Sequence, residues 1–148
     1  MESTLATSHD AELVLKLYDL RREATMRQAR HFMTAKFNPT SFEEFAAVMN
    51  GWGTEQNAWF RQVLSYWEMA VAFVLHGALN GDLFLDCNGE PLFLYAKFRP
   101  FLAEARKQNP GLFRHTERLL DEYPMARERV DGMCQMLEAR AQAAKANA

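Results

Sequence analysis

The chain has 148 residues, with 49% hydrophobic residues, 24% charged residues and a formal net charge of −2. This length suits one domain with a sizeable core, and the composition excludes an intrinsically disordered chain. The small net charge gives no electrostatic reason to expect binding to nucleic acid or to an anionic membrane. We therefore expect one domain over residues 1–148, with its core at about residues 10–143 and frayed termini.

The cysteines and the apolar segments indicate in which cellular compartment the protein is expected. Cys87 and Cys134 are the two cysteines, and no CxxC spacing occurs, which favours a reducing compartment over a disulfide framework. The longest apolar run, Trp67 to Leu75, contains Glu68 and is too short to span a membrane. The first residues lack the basic start and apolar segment of a secretory signal. We expect a cytoplasmic protein without a membrane span.

The first predicted helix runs from about Asp10 to Lys36. Its apolar stripe recurs at helical spacing and comprises Leu13, Leu17, Leu20, Ala24 and His31 or Phe32. Asn38-Pro39 ends this helix, because proline disfavours helical geometry in the residue before it. Ser41 followed by Glu44 has the pattern of a capping box and predicts the start of a short helix that ends at Gly51.

The central predicted helix runs from about Glu55 to His76 and is expected to be the most buried. Its apolar residues cover more than one stripe of the helix surface. Gly77 and Asn80-Gly81 supply residues that tolerate left-handed backbone at a helix end. The following segment DLFLD, residues 82–86, is predicted to form a single turn.

The second half of the chain is predicted to form three more helices. The first begins at Glu90-Pro91 and runs to about Lys107, with a bend or break expected at Pro100. The others cover residues 112–122 and about 125–143, separated by Tyr123-Pro124. No segment alternates as a strand does. The sequence predicts an all-α, single-domain bundle of about five to six helices, with a proline-interrupted helix near Pro100.

Four segments in this order resemble a known family. They are RREATMRQAR, FEEFAAVMN, LSYWEMAVAFVLHGALNGDLF and YAKFRPFLAEARKQNPGLFRHTERLL. The likeness covers roughly residues 13–122 and is to uncharacterised bacterial helical proteins described only as a domain of unknown function. In these proteins an aromatic-aromatic-Glu helix precedes a glycine turn. The resemblance implies a helical fold and a bacterial origin, and it brings no activity, cofactor or catalytic residue.

Glu68 is the most informative single residue. Its helical neighbours three and four positions away are Leu64, Ser65, Val71 and Ala72, so it lies in or beside a buried stripe. A buried carboxylate needs a partner or a shifted pKa. The functional interpretation is a general acid or base, or a metal ligand. The structural alternative, which we favour, is an ion pair with Arg61, Arg99 or Arg106, or a contact with polar groups at a helix end.

Other kinds of chemistry lack a local pattern. The four histidines, His9, His31, His76 and His115, form no Glu-x-x-His pair, so no metal site is expected. The sequence contains no GxSxG motif, no glycine-rich phosphate loop and no base flanking either cysteine. We expect no cofactor. The arginines of the first helix are interleaved with acids, which is typical of an exposed face or of pairing with neighbouring helices.

These observations favour a non-enzymatic protein-interaction or regulatory module. The alternative is a bundle that binds a small ligand in an aromatic pocket near Glu68, with Trp67, His76, Arg99 and Arg106 as further tentative binding residues. A third alternative is an enzyme whose active site is assembled from distant residues.

The last predicted helix suggests one route to self-association. Its stripe is Ala126, Val130, Met133, Leu137 and Ala141. We expect this stripe to cover the core of its own domain beside the first helix, or else to pair with the same helix of a second chain in a homodimer.

Overall fold

The computed structural model describes residues 5–148, which form eight α-helices and no strand. The helices are α1 Ser8–Arg21, α2 Ala24–His31, α3 Phe42–Met49, α4 Glu55–Leu75, α5 Gly81–Cys87, α6 Glu90–Ala105, α7 Arg114–Glu122 and α8 Pro124–Ala146. A π-helical segment, Phe32–Lys36, continues α2. The all-α prediction is confirmed, whereas the predicted number of five to six helices was too low.

The first predicted helix was wrong as a single element, because it divides between α1 and α2. The Glu23 carboxylate accepts hydrogen bonds from the backbone N–H groups of Thr25 (3.0 Å) and Met26 (2.9 Å). These bonds, that to Thr25 first, lower the pKa of Glu23. They satisfy donors that the first turn of α2 cannot use, so Glu23 starts a new helix instead of continuing α1.

A similar side-chain cap explains the other additional helix. The Asn80 side chain accepts a hydrogen bond from Leu83 N at 2.9 Å, and α5 then runs for seven residues rather than the predicted single turn. Gly77 has the expected left-handed backbone, with φ of 75°. The Ser41 cap is present, although the Glu44 carboxylate accepts from Thr40 N at 2.8 Å.

Pro100 does not break its helix. α6 is continuous from Glu90 to Ala105, so the predicted break was wrong, whereas the alternative of a bend at Pro100 stays a prediction. Proline has no N–H, and this leaves the carbonyl of Ala96, four residues earlier, without its usual helical partner. The thiol of Cys134 on α8 donates to that carbonyl, with the sulfur 3.7 Å from the oxygen. A donor from a neighbouring helix therefore takes the place of the missing backbone bond.

α4 and α6 contribute the most buried side chains to the core. α4 packs against α2, α3 and α7, while α6 packs mainly against α8. Fully buried side chains of this core include Phe45, Val63, Trp67, Phe84, Leu92 and Phe98. The short helices and α8 thus close a single apolar cluster around the two long central helices.

The C-terminal helix covers this core along its first half. Ala126 and Val130 are both 1% exposed, and Met133 and Leu137 are partly buried against the core. Every residue from 138 to 148 is exposed. α8 packs against α6 and α7 rather than mainly beside α1, which corrects the expected neighbour of this helix.

Candidate functional site

The Glu68 side chain lies at the N-terminus of α7. Its carboxylate accepts hydrogen bonds from His115 N (2.9 Å), from Thr116 N (3.1 Å) and from the Thr116 hydroxyl. His115 Nδ1 lies 3.2 Å from the same carboxylate. The partner of Glu68 is therefore the end of a helix and not an arginine. Of the two structural arrangements expected from the sequence, the structure shows the contact with polar groups at a helix end.

The start of α7 explains why a carboxylate from another helix is needed. Phe113 occupies the N-cap position, and its side chain makes no capping hydrogen bond. Its backbone is left-handed, with φ of 58°, a conformation that is unfavourable for a bulky residue. Glu68 supplies the acceptor that Phe113 lacks. A negative charge here also interacts favourably with the positive end of the α7 dipole.

The other four tentative binding residues do not converge with Glu68 on one site. Trp67 is 2% exposed within the core, and its indole Nε1 has no hydrogen-bond partner among residues 5–148. His76 is exposed at the end of α4. Arg99 is exposed and pairs with Asp131 at 3.1 Å, on the α8 side of α6.

Arg106 also contacts α7, but through groups other than those that bind Glu68. It forms an ion pair with Glu117 at 2.6 Å, and its Nε donates to Leu112 O at 3.0 Å. The first contact is with α7 itself, and the second is with the segment that leads into it. Arg106 and Glu68 therefore position the same helix from different directions.

An open groove lies beside Glu68, between α4 and the segment 109–113. Its volume is about 600 Å³, and Phe60, Leu64 and Phe113 contribute to its walls. Such a volume would accommodate a small molecule. However, both carboxylate oxygens of Glu68 accept hydrogen bonds from α7. The carboxylate is therefore already hydrogen-bonded within the protein rather than left for a ligand in the groove.

A polar cluster lies on the opposite side of α4. Arg30 on α2 forms a bidentate pair with Glu90 on α6, with Nε–Oε1 and Nη2–Oε2 distances of 3.1 and 2.5 Å. Tyr66 donates its hydroxyl hydrogen to the Leu17 carbonyl, and burial raises its pKa to about 12. These contacts join α1 and α2 to the central helices, as the interleaved charges of the first helix allowed.

Lys97 is a charged residue that the sequence analysis missed. Its Nζ donates to the carbonyls of Met33 (2.8 Å) and Thr34 (3.4 Å) in the π-helical segment. Burial lowers the pKa of Lys97 to about 8. Its sequence neighbours at three and four positions, Phe93, Leu94, Pro100 and Phe101, are all apolar. This is the same signal that drew attention to Glu68, and it would have identified Lys97.

The two cysteines differ in their surroundings. The Cys134 thiol is engaged by the Ala96 carbonyl, and burial, as the largest cause, raises its pKa. Cys87 is exposed. Across residues 5–148, no three His, Cys, Asp or Glu side chains are grouped closely enough to hold a metal ion.

α1 carries exposed apolar side chains. Leu15 is 65% exposed, and Tyr18 and Leu20 are each 46% exposed. Leu17, on the opposite side of the helix from Leu15, is 3% exposed and faces the core. Within the described part of the chain, none of the helices has the length and apolar character needed to cross a membrane.

Comparison with known proteins agrees with the resemblance seen in the sequence. No curated protein and no solved structure matches the chain. One family model does match, over residues 6–123, which includes α1 to α7 and ends immediately before α8. The matched region contains both Glu68 and the α7 helix that it caps. The chain therefore belongs to the family described as a domain of unknown function, DUF4760.

Proposed function

We propose that this protein is a non-enzymatic interaction module that self-associates through the outward face of α1. The observation that carries this proposal is the exposure of Leu15, which is 65% exposed at the middle of a helix. An exposed apolar stripe on a terminal helix favours a binding surface over a solvated one.

The outward face of α1 has the spacing of a helix-packing surface. Ala11, Leu15 and Tyr18 are separated by four and three residues, so they follow one line along the helix. The inner face is anchored separately. Leu17 is buried there, and the Asp10 carboxylate accepts a hydrogen bond from Asn80 N at 2.9 Å. The outward stripe is therefore not needed to hold α1 on its own domain.

The charges beside this stripe favour a second copy of the chain as the partner. Glu12, whose side chain is 77% exposed, lies toward the start of α1. Arg22, at the end of the helix, lies over the Tyr18 ring at 5.3 Å. In an antiparallel pair that places Leu15 against Tyr18 of a second copy, Glu12 approaches Arg22 of that copy. Such a face is complementary to itself, as a two-fold dimer requires.

The α8 stripe is a weaker candidate for the same role. Its first residues are already buried by the core, since Ala126 and Val130 are each 1% exposed. Pairing through them would require α8 to leave its own domain. α1 offers apolar surface without that cost.

Multi-angle light scattering on the full chain tests the proposal. The wild-type protein is expected to be a dimer at tens of micromolar, and Leu15→Glu is expected to be a monomer, because it places a charge at the centre of the interface. Leu20→Glu is the matched control. Leu20 is exposed on the flank of α1, so this variant should remain a dimer.

Two results would contradict this function. One is a wild-type monomer at the highest concentration reached. The other is equal loss of the dimer in Leu15→Glu and Leu20→Glu, which would point to general disturbance of α1. Circular dichroism on each variant establishes that it is folded.

A further inference from the structure

A groove separate from α1 lies between α6, the second half of α8 and the segment 34–40. Its volume is about 480 Å³, which is within the range of small-molecule sites. Its apolar walls include Phe93, Pro100, Phe101, Leu137 and Ala141. The groove is formed where α8 extends along α6.

Lys97 lies in the wall of this groove, and among residues 5–148 its charge has no acidic partner. None of the ion pairs within residues 5–148 includes Lys97. Its ammonium has three N–H donors, and the two carbonyls of the π-helical segment account for two of them. Nζ also lies 5.5 Å from the centre of the Phe98 ring, a cation–π contact that supplies no negative charge. A partly buried ammonium without a counter-charge is costly, and an anion in the groove would reduce that cost.

The remaining charges of the groove lie at its edge. Arg99 forms an ion pair with Asp131, with Nη1 3.1 Å from Oδ1. Glu138 and Arg140 are both exposed on α8 and carry opposite charges. The lining therefore combines the Lys97 cation with apolar walls and with the polar side chains of Thr34, Asn38 and Thr40. This combination fits a ligand that has one negative charge and an apolar body.

We propose that this groove binds a small amphipathic monocarboxylate, whose carboxylate accepts a hydrogen bond from Lys97 Nζ while its apolar body lies between α6 and α8. The lowered pKa of Lys97, about 8, agrees with an ammonium that is partly removed from water and still largely protonated at neutral pH. This site is independent of the α1 face, so either proposal can fail without the other.

Isothermal titration calorimetry with octanoate, and with 1-octanol as the uncharged analogue, tests the site at neutral pH. The wild-type protein is expected to bind one octanoate, at least about tenfold more tightly than octanol, because the charge-assisted hydrogen bond is available only to the acid. Lys97→Met should reduce octanoate affinity to that of octanol. Lys107→Met is the control, since Lys107 is exposed and pairs with Glu104 away from the groove.

A second variant keeps the test valid if Lys97→Met does not fold. Ala141 is exposed at the groove wall, so Ala141→Trp should fill the groove, preserve the fold and abolish octanoate binding. The proposal is overturned if the wild-type protein shows no saturable binding or binds octanol equally well. Unchanged octanoate affinity in folded Lys97→Met, or in Ala141→Trp, would also overturn it.

Discussion

Glu68 and Lys97 are two charged residues in similar sequence settings, and the fold treats them differently. Each lies on a central helix among mainly apolar neighbours, and each reaches the end of another helix. The Glu68 carboxylate accepts hydrogen bonds from His115 N and Thr116 N at the N-terminus of α7. The Lys97 ammonium donates to the Met33 and Thr34 carbonyls in the π-helical segment. In both cases the sign of the charge matches the helix dipole.

The two sites differ in how fully the protein satisfies the charged group. Both oxygens of Glu68 are bonded by α7, and the Thr116 hydroxyl adds a further donor. Lys97 donates to two neutral carbonyls, one of them at 3.4 Å, and its Nζ lies 5.5 Å from the centre of the Phe98 ring. It also lies beside a largely apolar groove. A buried charge alone therefore does not identify a binding site. The remaining hydrogen-bonding capacity of the group is the more useful criterion.

The largest expected effect is at Glu68. Glu68→Ala should lower the free energy of unfolding by about 2–3 kcal/mol, because it removes a charged acceptor from two backbone donors at the start of α7. Urea denaturation measures this change. Glu128→Ala, an exposed position on α8, is the control and should change stability by less than about 0.5 kcal/mol. A similar small change at Glu68 would show that α7 does not depend on this cap.

A smaller effect is expected at Lys97 as the pH rises. The folded protein releases the Lys97 proton near pH 8, whereas the unfolded chain keeps it until about pH 10.5. The unfolded state therefore binds more protons between these values, and stability should rise with pH in that window. Because Lys97 is only partly buried, we expect a gain of about 1 kcal/mol between about pH 8 and 9.5.

Lys97→Met isolates this contribution. Denaturation of both proteins at each pH should show the rise in the wild-type protein and its absence in the variant. The difference between them removes the background from the tyrosines, of which Tyr66 titrates near pH 12. The charged and titratable groups that share the groove are Cys134, Arg99, Glu138 and Arg140, and they are unchanged between the two proteins. Parallel pH profiles would mean that Lys97 is solvated like an ordinary lysine.

The smallest effect concerns the carbonyl that Pro100 leaves without a backbone partner. Cys134→Ala should cost about 1 kcal/mol, through loss of the thiol donor and of some packing. In a Pro100→Ala background the backbone N–H of residue 100 can bond Ala96 O, so the same substitution should cost about 0.5 kcal/mol less. A double-mutant cycle by urea denaturation measures this coupling. If Cys134→Ala lowers the free energy of unfolding equally in both backgrounds, the thiol does not replace the backbone N–H that Pro100 lacks.

Much of the secondary structure could be predicted from the sequence, because its signals are local. Proline, glycine and capping residues predicted most of the helix ends, and the apolar residues of α4 predicted a helix that is buried on more than one side. The signal for the missed division between α1 and α2 was also local. The Glu23 carboxylate accepts hydrogen bonds from the backbone N–H groups two and three residues later, those of Thr25 and Met26. Glu68 could be identified as a buried charge that needs partners, and a helix end was among the partners considered.

Only the tertiary structure decided which groups meet. His115 and Thr116 lie 47 and 48 residues from Glu68 along the chain. The thiol that bonds the Ala96 carbonyl lies 38 residues away, and the Met33 carbonyl lies 64 residues from Lys97. Helical periodicity shows which face of a helix is buried. It does not fix the rotation and offset of one helix against another, and a hydrogen bond depends on ångström-scale positions. The sequence therefore determined the helices and their buried charges, whereas packing decided which charge was fully bonded and which one faced a groove.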